Sequence, residues 1–337
     1  MTPRPLAPRA ALAAALLALA PAARAQEVTV KLGTLAPSGS SWHEILKDMA
    51  ERWSQASQGK VKLRIYPGGT QGNEGEMVRK MAVGQLQAAA VTSVGLHDII
   101  PEPNGLIVPL MFDGEAELLA VLERMRGKLD ALLDKRGYVG LQWGIVGQVK
   151  LFCTKPYRTP AEAKGAKVFA WEGDPGSVEA WKLAGFSPVV LSSTDLLPAL
   201  QTGMVNCVAT VPLYALTARI FEKASSMMDV NWGILVGATV VKRDAWEKIP
   251  AEVRPKLAAI ARDLGKKVDA EVDRLNADAI AEMKKQGLTV VPVDQAAWKA
   301  TAESTWSVLR GKVVPAEFFD EVRRERDAVR ASKAGKK

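Results

Sequence analysis

The alternation of strand and helix between Val28 and Ser93 limits the folds open to this 337-residue chain more than any other feature. "VTVKLGTL" (Val28–Leu35) reads as a strand, and Ser40 or Ser41 then offers a side-chain oxygen to the orphan N–H groups of a following helix. Ile45, Leu46, Met49 and Trp53 recur at helical spacing, and Gly59 ends the segment. "KVKLRIYPGG" alternates as a strand, "NEGEMVRKMAVGQL" is an amphipathic helix, and "QAAAVTS" (Gln87–Ser93) is a buried strand. A β-α-β-α-β order with short connections predicts a mostly parallel sheet covered by helices, because parallel neighbours need crossovers.

The pattern then recurs. A loop (Pro101–Phe112) precedes a helix from about Glu115 to Lys135, and "YVGLQWGIV" and "QVKLFCT" read as consecutive strands. From Tyr157 come a strand (Ala166–Trp171), helix (Pro175–Leu183), strand (Phe186–Val190), helix (Thr194–Thr202) and strand (Val205–Thr210). Gly233–Pro250 holds a strand and a short helix. Ala251–Gln286 is a charged helix of about 36 residues, roughly 54 Å, either unbroken or broken near its middle. Val253, Leu257, Ile260, Leu264, Val268 and Val272 give it a core-facing stripe, so it suits a brace across two lobes. "LTVVPV" and two further helices close the chain. The fold class expected is α/β, with two units of similar size.

Met1–Ala25 carries Arg4 and Arg9, an apolar run from Ala10 to Ala20, and Ala23-Arg24-Ala25 before Gln26. These are the three parts of a secretory signal peptide, with an apolar run too short to span a bilayer. An exported chain of about 310 residues is expected, and that length suggests two domains. The formal charge is +8, and much of it lies in the signal and in "RRERDAVRASKAGKK" (Arg323–Lys337). No basic stripe carries interleaved aromatics, which argues against a nucleic-acid partner. Cys153 and Cys207 either pair in the oxidising compartment or remain two buried thiols. With His43 and His97 they show no metal-ligand spacing.

Catalytic chemistry is not legible. Neither histidine sits beside a nucleophile motif, and the chain lacks G-x-S-x-G, H-E-x-x-H and a P-loop. "YPGGTQGNEG" fits no dinucleotide or phosphate fingerprint and reads as a mobile loop capping the helix at Asn73–Glu76. No catalytic residue, cofactor or metal is therefore expected. An exported two-lobed protein with a cleft at its strand ends suits the binding of a small molecule.

Four segments resemble the solute-binding subunits of tripartite ATP-independent periplasmic (TRAP) transporters, the DctP-like family. They are the opening "VKLGTLAPSGSSWHEILKDMAERWSQASQGKVKLRIYPGGTQGNEGEMVRKMAVGQLQAAAVTS", then "TPAEAKGAKV", "GFSPVVLSSTDLLPALQTGMVNCV" and "KRDAWEKIPAEVRPKL". The resemblance covers nearly the whole exported chain. It implies a two-lobed, hinge-closing fold that delivers a small organic solute to TRAP permease membrane subunits. The expected division is 1–25 as signal peptide, 27–148 plus about 233–270 as lobe I, and 149–232 plus about 271–325 as lobe II. Residues 326–337 are expected to be a disordered basic tail. An exported carrier of a hydrophobic or lipid-like molecule, working with a protein partner, is the alternative.

The chain departs from the family pattern in its would-be site. The strand after "KG-x-K" usually carries an arginine that binds the solute carboxylate as a bidentate pair. Here that residue is Phe169, followed by Trp171 and by Glu172, an acid where a neutral polar side chain is common. A second arginine is missing from "GQVKLF". Lys150 is adjacent and is held as a reserve anion ligand, although one step along a strand reverses the face. Phe169 and Trp171 either pack the second core or wall an apolar pocket. Thr92, Ser93, Thr210, Pro212, Asn231, Trp232, Ser38 and Trp42 complete the expected site, with Trp42 equally able to act as a helix staple. The ligand implied is partly apolar or aromatic, rather than a simple carboxylate held by arginine.

Overall fold

The computed structural model describes residues 27–334, so the expected signal peptide lies outside the described residues. The first unit follows its sequence pattern: β1 (Val28–Thr34), α1 (Ser41–Ala56), β2 (Val61–Tyr66), α2 (Glu74–Ala82) and β3 (Ala88–Thr92). Ser40 caps α1 by accepting from the His43 N–H, and the apolar stripe of α1 buries Leu46, Met49 and Trp53. A turn of helix, α3 (Ser93–His97), and the long α4 (Glu115–Lys135) follow.

The expected pair of strands after α4 is one continuous strand, β4 (Tyr138–Cys153). It leads into β5 (Lys167–Trp171), α5 (Pro175–Leu183), β6 (Ser187–Leu191), α6 (Leu196–Thr202), β7 (Cys207–Thr210) and α7 (Pro212–Thr217). A second long strand, β8 (Ser226–Lys242), returns through both units. The chain closes with α8 (Arg243–Glu247), α9 (Arg254–Lys285), β9 (Thr289–Val291), α10 (Gln295–Lys312) and α11 (Ala316–Ala334).

All nine strands form one sheet in the order β2-β1-β3-β8-β4-β7-β5-β6, with β9 beside β8. The expectation of a mostly parallel sheet holds inside each unit, where β1 pairs with β2 and β3, and β5 with β6 and β7. It fails at the centre, where β3–β8, β4–β8 and β4–β7 are antiparallel. The reason is that β4 and β8 cross between the units without intervening helices. Their register slips between Gly140 and Gln142, Ile145 and Gly147, and Val149 and Leu151. Such bulges bend a long ribbon at the junction of the lobes. Gly147 has φ 137°, and a Cβ there would meet the Asn276 side chain at 2.4 Å, so only glycine fits.

Helix α9 braces both units. Its 32 residues, about 48 Å long, run unbroken. At one end the Leu257 carbonyl accepts from the Trp53 indole of α1 at 3.1 Å. In the middle Gly265 lets the helix lie against Gln142, and Asp269 accepts from the Ile145 N–H of β4 at 2.9 Å. Further on, Asn276 accepts from the Leu213 N–H at the start of α7 at 3.0 Å. Met283 ends in the core around Phe152, Phe169 and Val208.

Two corrections concern the C-terminal part. Residues 326–334 are not a free tail: α11 continues through them, burying Val329 and Arg326. Arg330 pairs with Glu117 at 2.6 Å and with Asp113 at 3.0 Å. The helix packs on α4, where Lys128–Glu321 and Arg124–Glu325 add ion pairs, so it sits with the first unit rather than the second. Arg330, part of the run that suggested a solvated end, instead meets Glu117 on the facing helix.

Cys153 and Cys207, register partners on β4 and β7, form a disulfide inside the second core. The bond closes a 54-residue separation and pins β7 to the long ribbon. Replacing both cysteines by serine should lower stability by about 2–4 kcal/mol in denaturant unfolding. A variant as stable as the native protein would show that strand pairing alone holds β7.

Candidate functional site

The strand ends of both units converge on a cavity of about 300 Å³. The first lobe supplies Thr34–Ala36 after β1, Trp42 of α1, Asn73 and Glu74 at the start of α2, and Thr92 closing β3. The second supplies Phe169, Trp171 and Glu172 at the end of β5, Asp174 and Ser177 at the start of α5, Thr210 of β7 and Tyr214 of α7. The long strands form the floor through Ile145, Val149, Trp232 and Ile234, while Val268 of α9 and Val313 after α10 close the sides.

Aromatic side chains dominate the second lobe's wall. On β5 the period of two sends Val168 and Ala170 to one face and Phe169 and Trp171 to the other. The Phe169 and Trp171 rings meet edge to face at 4.9 Å, and Trp171 meets Tyr214 at 5.8 Å. Trp181 and Trp232 stack at 4.6 Å and border the same space. Phe169 is 1% exposed, so it serves the core and lines the cavity; Trp171 is half-buried.

The charged residues of the described wall are all acids. Asn73 and Glu76 form a reciprocal capping box at the start of α2. The Asn73 amide then donates across the cleft to Glu172 at 2.8 Å, which ties the lobes together in a closed arrangement. Glu74 is buried and accepts from the Thr92 N–H (3.0 Å), the Thr92 hydroxyl (2.8 Å) and the Gly95 N–H (2.8 Å). Burial raises its pKa despite those donors, and the charge of Asp174 adds to the rise. Asp174, also buried, caps α5 by accepting from the Ser177 N–H at 2.9 Å, and burial raises its pKa too. The Tyr214 hydroxyl is pushed up to about 12 by burial and by Glu74. Among the described residues that line the cavity, none is lysine, arginine or histidine.

Of the residues singled out from sequence, Phe169, Trp171, Glu172, Thr92, Thr210, Trp42 and Trp232 line the cavity. Ser93, Ser38, Pro212, Asn231 and Lys150 do not. Ser93 is buried at the start of α3 and Pro212 at the start of α7, whereas Ser38 and Asn231 are exposed. Lys150 corrects its reserve role. It does not line the cavity, and its ammonium pairs with Asp229 at 2.9 Å. Sequence reasoning missed Asn73, Glu74, Asp174 and Tyr214. "GNEGE" and "GDPGS" carried the signal, a helix cap at each strand end, but their acids looked like ordinary helix-surface charge.

This geometry defines a class: a two-lobed receptor whose halves close around a small solute at their strand ends. The chain belongs to the bacterial extracellular solute-binding proteins, family 7 (DctP), whose profile matches residues 32–311. Members of this family are TRAP-type solute receptors, not enzymes. The C4-dicarboxylate-binding periplasmic protein DctP of Vibrio cholerae is 23% identical over 262 residues, 77% of this chain and 79% of that one. A TRAP solute-binding protein from Desulfovibrio salexigens, solved with orotic acid, superposes with a TM-score of 0.84 at 19% identity, covering 90% of this chain and 100% of that one. One from Pseudomonas putida F1 with D-glucuronate gives 0.82 at 21% identity, covering 88% and 96%.

Asp174 yields a pH test. A carboxyl whose folded-state pKa lies above its unfolded value of about 3.9 favours the fold while protonated, and that contribution is lost as pH rises through the interval between the two values. D174N keeps a capping oxygen and removes the charge. Its melting temperature, compared with that of the native chain at about pH 4 and about pH 7, should gain on the native value as pH rises. A difference independent of pH would place Asp174 outside this linkage.

Proposed function

We propose that this chain is the extracytoplasmic receptor of a TRAP-type importer, exported by its signal peptide, and that it delivers a small organic solute to the membrane permease subunits. We further propose that the solute is not a carboxylate held by arginine but a molecule with an apolar or aromatic body. The observation that carries the second point is the composition of the cavity wall. Six aromatic side chains (Trp42, Phe169, Trp171, Trp181, Tyr214 and Trp232) and three acids (Glu74, Glu172 and Asp174) line it, with no base. The solved relatives with orotic acid and D-glucuronate hold organic acids. An anion in this cavity would meet only like charge, with no guanidinium to replace its lost hydration.

Closure follows from ordinary linkage. The cleft shuts when the bent β4–β8 ribbon and its brace allow the strand ends to approach, and a solute that contacts both lobes favours the shut form by its extra contacts there. The aromatic wall provides that preference by burying the body of the solute, each ring contributing about 1–3 kcal/mol.

Two measurements test this reading. Succinate and malate should leave the melting temperature unchanged, whereas small aromatic compounds should raise it; stabilisation by the dicarboxylates alone would overturn the ligand class. W171A should weaken an aromatic ligand by about 1–3 kcal/mol with little loss of stability, because Trp171 is half-buried. F169A should cost about 3–5 kcal/mol of stability as a cavity in the core. Unchanged affinity in W171A would assign that ring to packing.

A further inference from the structure

We infer that the polar end of the solute is a cation, an organic ammonium group seated between Glu74 of the first lobe and Asp174 of the second, beside the rings of Trp171 and Tyr214. The inference rests on the receptor reading above and adds the charge of the cargo to it.

Three observations converge on this point. The cavity is walled by acids and aromatic rings, and its described lining holds no basic side chain. The two innermost acids come from opposite lobes, Glu74 from the start of α2 and Asp174 from the start of α5. Each is more than nine-tenths buried, and the segments that carry them meet across the cleft where the Asn73 amide donates to Glu172 at 2.8 Å. Two carboxylates from opposite lobes thus line one cavity whose described lining offers no base, and burying them there without a counter-charge is unfavourable. The aromatic neighbours sit beside the same acids. Asp174 follows Trp171 within one turn, its N–H donating to the Trp171 carbonyl at 3.0 Å, and the charge of Glu74 acts on the Tyr214 hydroxyl.

An ammonium group answers each of these conditions. It relieves the repulsion between the lobes, donates hydrogen bonds or offers diffuse charge to the carboxylates, and rests against electron-rich ring faces. Because Glu74 and Asp174 come from opposite lobes, a cation that contacts both binds more tightly to the form in which both face it, and shifts the population toward that form. The solute thus supplies the counter-charge that the protein's own cavity wall lacks. Asn73 contributes by holding Glu172 with its amide, while Glu74 and Asp174, which already accept from Thr92, Gly95 and Ser177, meet the cation with their remaining acceptor capacity.

The test uses matched probes differing only in the head group, titrated against the native chain by calorimetry and thermal shift: 2-phenylethylammonium and benzyltrimethylammonium, 2-phenylethanol, and 3-phenylpropionate. The ammonium probes should bind about tenfold or more tightly than the alcohol, and the carboxylate should produce no shift. D174N, which keeps the helix cap, should lose about tenfold for the ammonium probes and change the alcohol by less than about threefold. Alcohol or carboxylate binding as tight as ammonium overturns the inference, as does D174N leaving ammonium affinity unchanged. Failure of every ammonium probe to bind overturns it as well. The receptor reading is judged separately, by mass spectrometry of the protein released without denaturation from an export compartment. A cleft-bound small molecule of any charge, absent from W171A, supports that reading; none in native protein counts against it.

Discussion

The pairing of β4 with β8 is the constraint on which everything else in this molecule depends. Two strands of 16 and 17 residues run antiparallel from the first unit to the second, so the units share one sheet instead of meeting at a surface. A connection of this kind cannot slide, but its bulges around Ile145, Gly147 and Val149 let it bend. Helix α9 lies over that bend, touching the first unit through Leu257 and the second through Asn276 and Met283. The two units are thus joined by a bent ribbon with one long helix laid across it. The cavity lies on this axis because Ile145 and Val149 of β4 form its floor.

The electrostatics of the cavity follow from helix capping as much as from ligand recognition. Asn73 and Asp174 are N-caps of helices that follow strands, and both helices begin at the cleft because connections in parallel units end there. An acid placed to cap a helix is thereby also placed in the ligand site. Helix N-termini favour negative charge, which makes two inward acids tolerable without a basic partner. Burial raises the pKa of both Glu74 and Asp174.

Much of the architecture was legible because it rests on local rules. The βαβαβ alternation, the cap at Ser40 and the period-two placement of Phe169 and Trp171 depend on neighbours in the chain, and the structure shows each of them. The central antiparallel ribbon was not legible, since glycines and bulges in "YVGLQWGIVGQVKLFC" break the apolar rhythm that marks one strand. The helical end of the chain was hidden for another reason. Arg326 and Arg330 look like a solvated run until Met111, Asp113 and Glu117, some two hundred positions earlier, are brought against them, the Met111 carbonyl to Arg326 and the two acids to Arg330. In the site, aromatics were readable as departures from a pattern, whereas Glu74 and Asp174 were masked by their resemblance to surface acids. Burial separates the two cases, and burial is a tertiary property.

Phe169 shows why a change in the chemistry of the cavity wall need not disturb this fold. Its backbone is held on both sides by parallel pairing, to Val189 of β6 and Val208 of β7, so the direction of its side chain is set by the sheet. The side chain enters the core formed by Phe152, Val208 and Met227 and reaches the cavity with its edge against Trp171. An arginine there, as the family pattern favours, needs a buried partner to offset its desolvation, and a bound carboxylate provides one. Phenylalanine needs none, and its removal of a positive charge leaves Glu74, Glu172 and Asp174 as the charges that line the cavity. Because strand pairing fixes the position, the residue there can change the charge of the cavity wall while the scaffold, its bend and its brace stay the same.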